Sequence, residues 1–238
     1  MNSEGSPLLS VRAEARQVVA PDYAVVDGVI EHTARSKVEA VRSVTGSLDR
    51  LTADLAALGA VPFDADAGRR PLTWSAHSSG TREELYHDKE TMRMERSGQV
   101  TATVALRVTV RDLDRLDELS GVLTAHPGLN VHGVAWHADW DNPAWPQVRA
   151  AAIDAAIGKA RDYAAALGAT VRQVEHIADA GLLGGDTAPY QPGHVLVARA
   201  YSGGVDQPGT PALTPVPQEL IATIEARFRT TDVSLPSA

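Results

Sequence analysis

Cysteine is absent from the 238 residues, which excludes disulfide stapling, thiolate nucleophiles and Cys-ligated zinc or iron–sulfur centres. Aromatic residues make up only 5% of the chain. No run approaches the roughly 20 apolar residues that a bilayer-spanning helix needs. Basic residues are in the minority: 22 Lys and Arg against 30 Asp and Glu leave a formal charge of −8, so no general attraction to phosphate backbones is expected. Signatures of catalysis are scarce too. The glycine-rich runs 181–185 and 202–204 lack the GK[ST] ending of a phosphate loop and read as loops. Neither G-x-S-x-G nor H-E-x-x-H occurs. Residues 1–9, with Glu4, Gly5 and Pro7, show neither the basic start nor the apolar run of an export signal, so the expected location is cytoplasmic.

What is present describes an ordinary globular chain, 44% apolar and 22% charged. At this size roughly 70% of the unfolded surface can be buried, enough for a full core without metals or disulfides. Residues 8–20 alternate up to Pro21-Asp22. Residues 23–31 alternate again, with Ala24, Val26, Gly28 and Ile30 on one face and Tyr23, Val25, Asp27 and Val29 on the other. Two strands are expected there, as a hairpin or a bent continuous ribbon. Ser36 with Glu39 forms a capping box. It opens a helix over 36–58 whose stripe is Val38, Val41, Val44, Leu48, Leu51, Leu55 and Leu58, ended by Gly59. A stripe of that length fits a coiled-coil seam or a helix on a sheet, and the flanking strands favour the sheet.

Residues 61–75 are strand-like but broken by Pro62, Gly68 and Pro71, and the polar segment 78–95 reads as an exposed hairpin or a loop insertion. Residues 99–110 form the clearest strand, with Val100, Ala102, Val104, Leu106, Val108 and Val110 on one face. Asp112 is placed to cap a short helix carrying Leu113, Leu116, Leu119 and Leu123. A strand over 131–140 leads into an alanine-rich helix over 143–167. That helix starts at Pro143, ends at Gly168, and has Trp145, Val148, Ala152, Ala156, Ala160, Tyr163 and Leu167 as its apolar positions. Strands are expected at 171–177, 194–200 and 219–231, the last with Ala222, Ile224, Ala226 and Phe228 on one face.

The search for chemistry yields two local features. His137 and Asp139 share a strand face, but a metal site needs a third ligand that the sequence does not supply. The other histidines, His32, His77, His87, His126, His132, His176 and His194, are scattered. Trp136, Trp140 and Trp145 crowd one strand-to-helix junction, where they either plug the core or line an interface. They are the possible interface residues of this chain. No catalytic residue, cofactor or metal ligand is nominated.

Four passages together resemble the SIMPL domain, a bacterial domain of unknown function. They are Val11-x-Ala13-x-Ala15 leading to Pro21-Asp22-x-Ala24-x-Val26; Leu55-x-x-Leu58-Gly59-Ala60-Val61; Val108-x-Val110-Arg111-Asp112-Leu113-Asp114-x-Leu116; and the helix 151–168 with Ala155, Lys159, Ala160, Tyr163, Ala164, Leu167 and Gly168 before Val174 and Ile177. The similarity spans about residues 8–231. The polar segment stands where the family has a short aromatic strand, and family members often carry an export signal. The resemblance implies a non-enzymatic α+β protein, loosely linked to stress responses, that forms homo-oligomers or binds a protein partner. The rival is a hydrolase or metal-binding enzyme whose site is assembled from distant residues. The expected architecture is one α+β domain over 8–231: a bent, mostly antiparallel sheet with two long helices and one short helix packed on it. Within it, 78–97 is a variable polar segment and 202–217 a Pro/Gly-rich loop, between a disordered start at 1–7 and a tail at 232–238.

Overall fold

The computed structural model describes residues 7–64, 67–88, 93–183 and 213–233. The strand expected at 194–200, the 202–204 glycine run and most of the tail lie outside these residues. In chain order the described elements are β1 (Leu8–Val19), β2 (Tyr23–Ala34), α1 (Lys37–Ala57), β3 (Val61–Pro62), β4 (Leu72–Asp88), β5 (Arg93–Val110), α2 (Leu116–Ala125), β6 (Leu129–His137), α3 (Trp145–Ala166), β7 (Val171–Asp179) and β8 (Gln218–Thr230). The class is α+β.

The strands form two sheets, ordered β1-β8-β7 and β3-β4-β5-β2-β6, where a single bent sheet was expected. Of the two arrangements expected for the first two strands, a hairpin or a bent continuous ribbon, the hairpin does not form. β1 pairs β8, and β2 lies between β5 and β6. The turn at Pro21-Asp22 is instead stitched to the end of β6, with the Asp22 N–H donating to the His137 carbonyl at 2.8 Å. Alternation defines a strand's two faces but not its partner, and here the partner of β1 lies at the far end of the chain.

The chain divides into two compact units, one holding β1, α3, β7 and β8 and the other β2 to β6 with α1 and α2. In the first, α3 buries Val148, Ala152, Ala156, Ala160 and Ala164, a four-residue spacing that turns one narrow stripe to the sheet. Opposite lie Val11 and Ala13 of β1 and Leu220, Ala222, Ile224, Ala226 and Phe228 of β8. Tyr163, expected on this stripe, is 47% exposed. In the second unit, Ala24, Val26 and Ile30 of β2 and the 102–110 face of β5 pack under Leu51 and Leu55 of α1 and Leu116, Leu119 and Leu123 of α2.

The buried face of α1 is Ala40, Val44, Ser47, Leu51 and Leu55. The expected stripe is therefore corrected at its start: Val38 and Val41 are 69% and 40% exposed. The Ser36 side chain accepts from the Glu39 N–H at 3.2 Å, as a cap should. Gly59 ends the helix at φ 75°, and Ala60 returns its N–H to Leu55 at 2.9 Å, the reverse turn that a left-handed residue permits. Asp112 makes no side-chain cap; it precedes a 3-10 turn at Leu113–Arg115 rather than the helix itself. The polar segment at 78–95 belongs to the β4–β5 hairpin, whose ladder runs to Asp88↔Arg93.

Candidate functional site

The three tryptophans take three different positions. Trp136 is 2% exposed and belongs to the core under α1 and α2. Trp145 is half-buried at the start of α3. Its Nε1 donates to the Asp139 carbonyl at 2.9 Å, and the Arg149 guanidinium lies 5.3 Å from its ring centroid. Trp140 is 79% exposed. His137 stacks on Tyr23 with centroids 4.9 Å apart, and the Arg111 guanidinium lies 4.7 Å from the Tyr23 centroid. Among the described residues, no group of three or more His, Asp or Glu side chains is placed to hold a metal ion.

The sequence reading missed a polar cluster inside the second unit. His32 Nε2 lies 2.7 Å from the Ser47 hydroxyl, which also accepts from Arg50 at 3.2 Å. A serine at this distance from an imidazole is the minimal nucleophile–base pair. Ser47 is fully buried, however, so the pair ties α1 to β2 rather than meeting a substrate. His126, at the end of α2, is 7% exposed, and its Nε2 has no hydrogen-bond partner. Burial, and then the charge of Arg50, hold it below the ordinary imidazole range. Gly128 follows at φ 81°, where an added Cβ would lie 3.1 Å from the Glu31 carbonyl and 3.2 Å from His32 Nε2. The signal in the sequence was Ser47, a hydroxyl standing at a helical step within an apolar stripe.

Two open hollows flank α1. One, of about 330 Å³, is lined by Arg50, Asp54, Val122 and His126. The other, of about 650 Å³, runs between Val41, Val44 and Leu48 of α1 and Ser78, Thr81 and Thr103 of the hairpin, and it accounts for the exposure of Val41.

The most prominent surface feature is the distal hairpin. β2 stops supporting β5 at Ala34↔Val100, whereas β4 and β5 continue to Asp88↔Arg93 as a ribbon of two strands. Leu85, Tyr86 and Met94 on this ribbon are 52%, 48% and 60% exposed. The Tyr86 hydroxyl donates to Glu95 at 3.2 Å, and that bond and charge raise its pKa.

Two sheets with helices on one face each, and a projecting ribbon, define an α+β protein whose conspicuous features are surfaces. The chain belongs to the SIMPL family, described as protein of unknown function (DUF541), whose family model matches residues 9–228. A search of curated proteins finds no match to the chain.

Proposed function

We propose that this SIMPL protein works by assembly, not catalysis, and that its copies associate with one another. The observation that carries this reading is the ribbon beyond Val100. A two-stranded ribbon is marginally stable alone in water, and Leu85, Tyr86 and Met94 leave its apolar side chains exposed. Contact with a protein surface would both stabilise the strands and cover those side chains. In the other unit, Trp140 is a separate exposed side chain of the type enriched in interfaces. A link to stress responses is part of the same proposal and rests on the family resemblance.

Light scattering across a range of concentrations tests the reading. The native chain is expected to show a defined multiple of 25.2 kDa. The triple variant Leu85→Ser, Tyr86→Ser, Met94→Ser is expected to fall to a smaller species with unchanged circular dichroism. A native chain that stays at the mass of one copy throughout contradicts it.

A further inference from the structure

Among the described residues, the sheet edges are blunted, with one exception. β3 covers β4 only at Val61 and Pro62, and the remaining edge of β4 shifts register at Ala76/Ser78 and Glu83/Leu85. β6 shifts against β2 at Asp27/Gly28. β7 shifts against β8 at Val171/Gln173 and Val174/His176. Such bulges twist an edge and spoil it as a template for another strand. β1 carries none. It pairs β8 residue for residue from Leu8↔Arg229 to Val19↔Gln218, and no strand among the described residues takes its other side.

The direction of its free backbone groups is fixed. The Thr230 N–H donates to the Pro7 carbonyl at 3.1 Å, so the odd-numbered residues of β1 bond β8 and the even-numbered ones point N–H and C=O outward. Lys159 of α3 covers one of these groups, its Nζ donating to the Arg12 carbonyl at 3.2 Å.

We propose that the free edge of β1 pairs antiparallel with the β1 edge of a second copy, with Ala13 on the two-fold axis, making one continuous six-stranded sheet. This rests on the assembly reading above and adds a second surface to the β4–β5 ribbon. The side chains select the register. Faces must match across the pair, so even-numbered residues meet even-numbered ones. An axis at Ala13 overlaps almost the whole strand. It sets Arg12 opposite Glu14 of the second copy, twice by symmetry, and sets the exposed Leu8 opposite Val18 of the second copy. On the α3 side it brings Ala13 against its own counterpart and Val11 against Ala15. An axis at Arg12 or at Glu14 puts like charges directly opposite, which is destabilising. An axis at Ala15 leaves Leu8 and Ser10 outside the overlap.

Arg12 already pairs with Glu225, and Arg16 with Glu14 and Glu219, in the same chain. The charges therefore set register more than strength, and the backbone ladder holds the pair. Lys159 guards the edge in the free chain. On pairing, the Arg12 carbonyl accepts from the N–H of Glu14 of the second copy instead.

The chain has no cysteine, so Arg12→Cys and Glu14→Cys can be made separately, mixed and oxidised. The facing pair lies within disulfide reach, whereas two copies of the same variant hold their cysteines on a diagonal beyond it. The mixture is expected to cross-link about tenfold more than either variant alone, given that geometric contrast. Glu14→Pro removes an outward N–H and leaves the β8 ladder whole, as edge strands allow. It should abolish the pairing with unchanged circular dichroism, whereas Lys159→Ala should increase it. A native multimer that yields no mixed cross-link, or whose mass Glu14→Pro leaves unaltered, overturns the edge pairing and spares the assembly reading. A native chain that remains a single copy at every concentration overturns both.

Discussion

The two cores of this protein divide their volume differently between helix and sheet. Under α1 and α2 both layers supply bulk: Leu51, Leu55, Leu116, Leu119 and Leu123 of the helices meet Ile30, Leu72, Leu106 and Trp136 of the sheet. Under α3 the helix supplies almost none, presenting Ala152, Ala156 and Ala160 after Val148, and the sheet fills the space with Leu220, Ile224 and Phe228. Each helix is thus matched to the layer it covers. Close-packed interiors tolerate neither voids nor excess volume, but the first core is more easily damaged by removal and the second, on its helix side, by addition.

Substitution separates them. Leu51→Ala, at a fully buried position, should lower the unfolding free energy by about 2–5 kcal/mol through lost burial and the cavity left behind. On α3 the informative change is the reverse. Ala156→Leu, also fully buried, should cost about 1–3 kcal/mol by overpacking. Urea titrations of both variants check the pair; a neutral Ala156→Leu would mean that α3 does not lie close on its sheet.

The polar corner sharpens the contrast further, because among the described residues only the α1–α2 core contains a buried imidazole with an orphaned ring nitrogen, His126 Nε2. The folded pKa of His126 is depressed below 6.5, so the unfolded chain takes up the proton first. Above about pH 6.5 both states are neutral and the group contributes nothing to the pH dependence. As pH falls below that value the folded state loses stability, until the folded pKa is itself passed. His126→Gln should flatten the stability profile between pH 7 and 5, and an unaltered slope would contradict the burial argument. Loss from Glu175 and Glu225, whose pKa values are lowered chiefly by hydrogen bonds from Arg229 and Arg12, belongs to the other unit and begins only toward pH 4.5 and below. The smallest effect is expected at Asp27→Ala. It breaks the two bonds from Arg107, at 2.8 and 3.0 Å, on the exposed face of β2 and β5. An exposed pair of this kind is worth about 0.2–1 kcal/mol.

How much of this was legible follows from which forces are local. The inward face of β8, with Ala222, Ile224, Ala226 and Phe228, was read from alternation alone, and so was the 100–110 face of β5. Helix ends marked by Ser36, Gly59 and Gly168 were equally plain, because caps and left-handed residues depend on near neighbours. The face of α1 was misread at Val38 and Val41 because counting large apolar side chains overlooks Ala40. It also overlooks Ser47, whose burial depends on His32 and Arg50. The hairpin alternative across Pro21-Asp22 failed for a different reason. The choice of β8 over β2 as partner of β1 is a long-range competition that no local pattern records. His126 and its orphaned Nε2 were invisible for the same reason, since burial of a lone histidine depends on the helix packed over it.

Amide hydrogen exchange along β1, followed by NMR as the protein concentration is raised, tests the assembly account most directly. The odd-numbered amides from Leu9 to Val19 bond β8 and should be protected throughout. The outward amides of Ser10, Arg12, Glu14 and Arg16 should exchange rapidly in dilute solution and become protected together as copies pair. Rapid exchange of those four amides at every concentration would contradict the pairing of β1 with itself.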